Sequence, residues 1–298
     1  MSQILITGAS GFVGQNLMPY LKNNGLNCFA FPLRDNWKEK LPDNYTAIIH
    51  LAGKAHDTKN TSEPEEYFHI NTELTKQLFD RFLKSDAEDF IYFSSVKAVA
   101  DTVEQVLDEL ANPNPQTSYG QSKWRAEQYL NSQLLPAGKR LFILRPCMIH
   151  GPGNKGNLNL LYKVVSKGIP YPLAAFDNRR SFLSIENLQF IIKRILKNPD
   201  IPSGTYNLAD DEALSTNELI RIIGEARGKR ARLWRLSPNV IKRVAKLGDT
   251  MKLPLNSERL KKLTENYVVD NSKIKSALKI ARLPVSAREG LLKTLRSF

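Results

Sequence analysis

The sequence predicts an α/β fold: a doubly wound parallel sheet followed by a smaller C-terminal α/β lobe. Three observations carry that prediction. An apolar strand runs into a glycine-spaced turn at the start of the chain, and short apolar runs alternate with amphipathic segments up to residue 145. After that the chain turns to Gly/Pro/Asn-rich stretches between further helical segments.

The first element is the strand ending at Thr7, with Gly8, Gly11 and Gly14 following at G-x-x-G-x-x-G spacing. Gly8 allows a tight turn, Gly11 lets backbone N–H groups approach a pyrophosphate, and Gly14 lets a helix lie close on the strand. A helix over Phe12–Asn23, apolar at Phe12, Val13, Leu17 and Leu21, would present its positive N-terminal end to the phosphates of a dinucleotide. Pro19 should bend that helix without ending it.

Strands are expected over Gln3–Thr7, Cys28–Phe31, Ala47–Leu51, Phe90–Ser94 and Leu141–Arg145, with helices over Glu65–Lys84 and Ser118–Gln133. Such short apolar runs belong to a parallel sheet buried on both faces, with ligands at the carboxyl ends of its strands. Beyond Arg145 the pattern gives a helix over Leu158–Lys167, a strand over Ser181–Ile185, and helices over Ile185–Leu196 and Ser215–Ala226, the last capped by Ser215 or Thr216. Residues 1–150 therefore read as a Rossmann-type NAD(P)-binding domain, with a return strand and helix at 181–197. Residues 151–180 and 198–298 read as the substrate-binding lobe.

Composition narrows the class. A hydrophobic content of 42% supports a buried core, and no apolar run reaches the roughly 20 residues of a membrane helix. Met1–Gln3 lead straight into the first strand, so no signal peptide is expected. Cys28 and Cys147 sit in strand-like runs, which fits unpaired thiols in a reducing cytoplasm. The four histidines lack metal-ligand spacing, and no metal site is expected. The net charge of +13 is concentrated in residues 221–298, which hold 20 Lys/Arg against 6 Asp/Glu. No nucleic-acid motif accompanies that charge. The amphipathic stretch Pro238–Leu247 leaves contact with an anionic membrane surface open.

The chemistry-bearing pattern is Tyr119-Gly-Gln-Ser-Lys123, whose i,i+4 spacing puts phenol and ammonium on one helix face. A phenol titrates near 10, and a neighbouring ammonium together with an oxidised nicotinamide should lower it into a useful range. Tyr119 would then exchange a proton with a substrate hydroxyl or carbonyl, and Lys123 would hold the nicotinamide ribose. Ser95, at the carboxyl end of a strand, would hydrogen-bond the reacting oxygen, and Asn71 would bond the backbone of a neighbouring strand. At the adenosine end, Arg34 followed by Asp35 suits NADP or dual use, with NAD open.

These residues, with His50-Leu-Ala-Gly53, Ser94–Ser95, Leu144-Arg-Pro146 and Gly151-Pro-Gly153, make the chain resemble the extended short-chain dehydrogenases/reductases. The resemblance spans essentially the whole length and is to the nucleotide-sugar epimerases and reductases. It implies a cofactor site of Gly8, Gly11, Phe12, Val13, Gly14 and Arg34, then Leu51, Ala52, Gly53, Asn71 and Pro146, with Tyr119 and Lys123. It also implies substrate contacts from Ser95, Lys97, Asn157, Leu158 and Arg180, the last as a phosphate-binding arginine. The implied activity is 4-epimerisation of a UDP-hexose, or NADPH-dependent reduction of a UDP-4-keto-6-deoxyhexose. A dinucleotide-sensing protein without chemistry is the more distant reading. Val96 stands where dehydratases of the family carry an acid, which argues against loss of water. Met148 and His150 depart from the family's usual substrate-side residues. A homodimer is implied through the helices over Glu65–Lys84 and Ser118–Gln133.

Overall fold

The computed structural model describes residues 3–54, 63–154, 157–251 and 256–298. In chain order its first part contains β1 (Ile4–Thr7), α1 (Phe12–Asn23), β2 (Cys28–Ala30), α2 (Trp37–Lys40), β3 (Ala47–His50) and α3 (Pro64–Tyr67). A π-helical turn (Phe68–Glu73), α4 (Leu74–Leu83), β4 (Asp89–Phe93), a 3-10 turn (Val96–Ala98), β5 (Val106–Leu107), α5 (Ser118–Ser132) and β6 (Arg140–Pro146) follow. The remainder contains β7 (Met148–His150), α6 (Asn157–Ser166), β8 (Phe182–Ser184), α7 (Ile185–Lys197), β9 (Gly204–Leu208) and α8 (Thr216–Ala226). It closes with α9 (Pro238–Met251), α10 (Ser257–Thr264), β10 (Val268–Val269), α11 (Ser272–Leu278) and α12 (Ala287–Arg296).

Six parallel strands form the main sheet in the order β2-β1-β3-β4-β6-β9. Successive residues of β1 serve opposite faces: Ile4 and Ile6 join Leu17, Leu21, Leu188 and Ile192, whereas Leu5 joins Phe79, Phe82 and Phe90. Both faces are covered by helices, which is why the strands read as continuous apolar runs. The order reverses beside β1, placing the carboxyl ends of β1 and β3 on either side of the crevice where such sheets take ligands.

Two expectations change here. The segment over Ser181–Ile185 is β8, but it pairs with β7 in a separate two-stranded sheet. The strand that completes the main sheet is β9, within the stretch assigned from sequence to the second lobe. Its Gly-Thr-Tyr-Asn-Leu sequence is too short and polar to announce a strand of the main sheet. The expected helix over Glu65–Lys84 is three pieces, interrupted by the π-helical turn that carries Asn71. Pro19 lies inside α1, which continues through it to Asn23.

The second lobe packs α6, α8 and α12 around Leu158, Phe182, Ile223 and Leu291. Ser215 caps α8 in a reciprocal box with Glu218. The lobe is sewn to the sheet domain by pairing of β10 with β5 and by the Tyr267 hydroxyl, which donates to the Ala100 carbonyl at 2.7 Å. Cys28 and Cys147 are buried free thiols. Among the described residues, no helix is long and apolar enough to cross a membrane.

Candidate active site

The glycine turn fits a diphosphate by what it leaves out. Gly8 sits at φ +67°, and a Cβ there would lie 2.5 Å from the Ala52 amide nitrogen. A Cβ on Gly14 would lie 2.5 Å from the Ala9 Cα, so α1 rests directly on the turn. Gly11 is the N-cap of α1, offers no side-chain cap, and no acidic residue occupies the first helical turn. The positive end of the helix is thus left for an anionic ligand. Phe12 and Val13 are half-buried behind it. Gly8→Ala is expected to lower dinucleotide affinity at least about tenfold and to depress the melting temperature, because backbone must move to admit the methyl group. Calorimetric titration with NAD and a thermal melt check it.

A buried hydrogen-bonded chain couples the turn to the catalytic elements. The Thr75 hydroxyl donates to the Asn71 carbonyl at 2.8 Å, so its oxygen accepts from His50 Nε2 at 2.9 Å. His50 Nδ1 in turn accepts from Thr7 Oγ1 at 2.7 Å, and Thr7 Oγ1 accepts from the Ala52 amide at 3.2 Å. Burial and the Lys123 ammonium push His50 down to about 3, so its imidazole is neutral and its tautomer is fixed. His50 thus holds a structural place, and the His-Leu-Ala-Gly string is its signal in the sequence.

Asn71 bonds backbone, as its position suggested, in the loop after β3. Its Oδ1 accepts from the Lys54 amide at 2.8 Å, and its Nδ2 donates to the Lys54 carbonyl and to Ser122 Oγ on α5. The π-helical turn supplies the displacement that lets one side chain span loop and helix. A Cβ on Gly53 would fall 2.9 Å from Asn71 Oδ1 and 3.1 Å from Lys123 Nζ, so these three residues converge on one point.

Ser95 lies close enough to the Tyr119 hydroxyl to favour the phenolate. Ser95 caps the 3-10 turn and accepts from the Lys97 amide, which fixes its hydroxyl at the carboxyl end of β4. Lys123 donates to the Phe93 carbonyl at 2.8 Å and lies 5.0 Å from the Tyr92 ring centre. Without a bound cofactor, the protein's own groups act against the expected lowering. The Tyr119 phenol is pushed up from its ordinary value by burial, with Tyr67 adding to the rise and Ser95 opposing it. The lysine does not make this phenol acidic, because its ammonium is committed to the Phe93 carbonyl and desolvation dominates.

Burial lowers Lys123 to about 8, with Glu127 pulling the other way. Between about pH 8 and 10.5 the unfolded chain holds a proton that the folded chain has lost. This lysine therefore weakens the fold most below pH 8, and its cost fades as pH rises to 10.5. The Lys123 Cε resonance is expected to titrate with a midpoint near 8, and Glu127→Gln should shift the midpoint lower.

Beneath the site, Glu127 is fully buried between Arg145, whose Nε donates to both carboxylate oxygens at 3.0 Å, and the Ser94 hydroxyl. Sequence reasoning missed this pair, since its partners lie on α5 and β6 and share no local pattern.

The other expected site residues divide. Leu51, Ala52 and Gly53 follow β3 on the crevice side, and buried Pro146 ends β6. Arg34 is exposed just past β2, before Asp35 and Asn36 at positive φ. Lys97 serves the wall of the site: its Nζ donates to the Asp101 carbonyl at 2.7 Å and lies 4.2 Å from the Tyr267 ring centre. Arg180 is half-buried, its Nε donating to the Glu265 carbonyl at 3.3 Å and its guanidinium 3.6 Å from the Glu265 carboxylate. The Leu158 side chain belongs to the second lobe's core, leaving only its backbone for a ligand. Lys155, Gly156, the side chain of Asn157 and His56 lie outside the described residues. His150 is buried against Thr294 at 2.9 Å, a structural role rather than a substrate contact.

A parallel sheet with a phosphate-sized glycine turn at its switch point and a Ser–Tyr–Lys cluster at the adjoining strand ends defines a Rossmann-fold dinucleotide enzyme of the short-chain dehydrogenase/reductase type. Comparison with known proteins sharpens this. Residues 4–209 match the model of the NAD dependent epimerase/dehydratase family, and the chain belongs to that family. It is 30% identical to a UDP-glucose 4-epimerase of Vibrio cholerae, over 99% of this chain and 95% of the relative. It is 27% identical to an N-acetyl-alpha-D-glucosaminyl-diphospho-ditrans,octacis-undecaprenol 4-epimerase of Escherichia coli O157:H7, over 98% of this chain and 94% of the relative. Among solved structures, the UDP-N-acetylglucosamine 4-epimerase of Bacillus cereus superposes with a TM-score of 0.77 at 22% identity, covering 99% of this chain and 98% of that one. The protein is an NAD(P)-dependent enzyme of extended short-chain dehydrogenase/reductase architecture.

Proposed function

We propose that the protein inverts C4 of a nucleotide-linked hexose, with a UDP-hexose as substrate. The observation that carries this reading is the Ser95–Tyr119 pair at the strand ends with Lys123, whose Nζ reaches the Gly53 loop that packs on the glycine turn. Gly8, Gly11 and Gly14 with the N-terminus of α1 hold the diphosphate of the dinucleotide, and Lys123 holds its ribose. A nicotinamide held there would supply the hydride chemistry at C4, acceptance from one face and return to the other. Tyr119 exchanges the proton of the 4-hydroxyl, and Ser95 orients that oxygen and helps carry the proton. Burial raises the Tyr119 phenol, and the positive charge of an oxidised nicotinamide beside it would favour the phenolate. Arg180, released from Glu265, would meet the sugar diphosphate.

One observation favours a second reading. Arg34 is exposed just past β2, and a basic residue after the second strand suits a 2′-phosphate, hence NADPH and one-way reduction of a 4-keto sugar nucleotide. The two separate on redox balance. Purified protein is incubated with UDP-glucose, UDP-N-acetylglucosamine and the polyprenol-diphosphate-linked N-acetylglucosamine that the Escherichia coli relative is named for. Products are read by NMR while nicotinamide absorbance is followed. Inversion at C4 without net change in absorbance is expected; stoichiometric loss of NADPH with a 4-keto sugar, and no inversion, would replace the first reading by the second. Further parts of the proposal are a cytoplasmic site of action, fitting the two buried free thiols, and a homodimer through α4 and α5, which sedimentation velocity tests.

A further inference from the structure

The first half of the basic C-terminal region builds a surface that the catalytic reading does not use. On α9, Val240, Val244, Leu247 and Met251 recur at i, i+4, i+7 and i+11 and form one stripe along the helix. Each is between 45% and 60% exposed. The neighbouring arc of the same helix, Ile241, Ala245 and Gly248, is buried, with Ile241 and Ala245 packing on Leu173 and Leu260. The stripe is therefore surplus to the fold's own core. Trp234 and Leu236 extend the apolar surface just ahead of the helix, at 55% and 41% exposed. The backbone of Trp234 is fixed by hydrogen bonds with Tyr171 and Ala174, so the indole is held outward on a rigid base.

Charge surrounds this apolar surface with one sign. Residues 229–251 contain Lys229, Arg230, Arg232, Arg235, Lys242, Arg243 and Lys246, all exposed, against Asp249 as the sole acid. We propose that α9, with Trp234 and Leu236, docks on the surface of an anionic lipid bilayer, lying in the plane of the interface. At 14 residues the helix is about 21 Å long, too short to span the hydrocarbon. An interfacial helix needs what is present: an apolar face to enter the acyl boundary, an aromatic residue at headgroup depth, and Lys/Arg to meet lipid phosphates. Two other occupants fit less well. A second copy would set the same seven cations against one another, and a nucleic acid would leave Val244, Leu247 and Met251 with no apolar partner. Because Leu173 and Phe176, under α9, lead directly into the Asp177–Arg180 segment, the docked face adjoins the arm proposed to hold the sugar diphosphate.

The test is flotation of the full chain with vesicles of equal parts phosphatidylglycerol and phosphatidylethanolamine, with pure phosphatidylcholine vesicles as comparison. Binding to the anionic vesicles at low salt, weakened by high salt and accompanied by a blue shift of Trp234 emission that Trp234→Phe abolishes, is expected. The Val244→Glu/Leu247→Glu variant should bind on the order of tenfold more weakly with an unchanged melting temperature. A Lys242→Gln/Arg243→Gln/Lys246→Gln variant should lose the preference for anionic lipid. Failure of the native chain to float with either vesicle overturns the proposal. So does retention of full binding by the Val244→Glu/Leu247→Glu variant. A native dimer that this variant dissociates, without vesicle binding by the native chain, would assign the stripe to a second copy instead. None of these readouts depends on which sugar the enzyme transforms.

Discussion

Tyr119→Phe should reduce turnover by about 10²–10⁴-fold while leaving dinucleotide affinity and thermal stability nearly unchanged. The ring stays in place against Tyr67, whose centre lies 6.3 Å away. What is lost is a single oxygen, the one beside Ser95 that is proposed to give and take the proton of the sugar's 4-hydroxyl. The cradle proposed for the cofactor's diphosphate, on α1 and the Gly8–Gly14 turn, is untouched by the change, so calorimetry with NAD separates catalysis from binding. A variant with native turnover would remove the phenol from the chemistry and give the dinucleotide-sensing reading the advantage. The pH profile adds an independent constraint. An ammonium that titrates near 8 should impose a fall in activity above that pH, which Lys123→Arg would move to much higher pH in whatever activity it retains.

Arg145→Ala should cost about 3–5 kcal/mol of stability. It strands the Glu127 carboxylate, fully buried, with the Ser94 hydroxyl as its remaining neutral donor. Chemical denaturation measures the loss directly. Replacing both partners, as Glu127→Leu/Arg145→Met, should recover most of it, because a well-packed apolar pair needs no counter-charge. If the double variant is as unstable as the single one, packing rather than charge is the pair's contribution. The Glu127 charge also supports the Lys123 ammonium, so the double variant should still be impaired in activity near neutral pH.

The sheet was legible because its strands are local. Ile4–Thr7, Cys28–Ala30, Ala47–His50 and Asp89–Phe93 are short, apolar and bounded by turn residues, and a strand buried on both faces has no other way to look. The glycine turn was equally plain, since the need for Gly8 at positive φ and for Gly14 against Ala9 is met at fixed spacing along the chain. Tyr119 and Lys123 could be read as a pair because helical geometry sets i and i+4 side by side. Ser95 could be placed with them because it closes a strand at the carboxyl edge where a sheet takes its ligand.

Other features were illegible for one recurring reason. β9 joins the main sheet although its own residues look like loop, because the exposed edge of β6 supplies the partner. The π-helical turn at Asn71 is imposed by bonds to Lys54 and Ser122, residues 17 and 51 positions away. Glu127 meets Arg145 and Ser94 only once α5 lies against the sheet.

By itself, then, the sequence determined the parallel sheet, its dinucleotide turn and the residues that can do chemistry, since each is encoded within a turn or two of chain. The tertiary structure decided how those residues are charged. The same burial that assembles the site strips water from Tyr119, Lys123 and His50, and desolvation in a packed interior outweighs a neighbour's charge that spacing alone suggests.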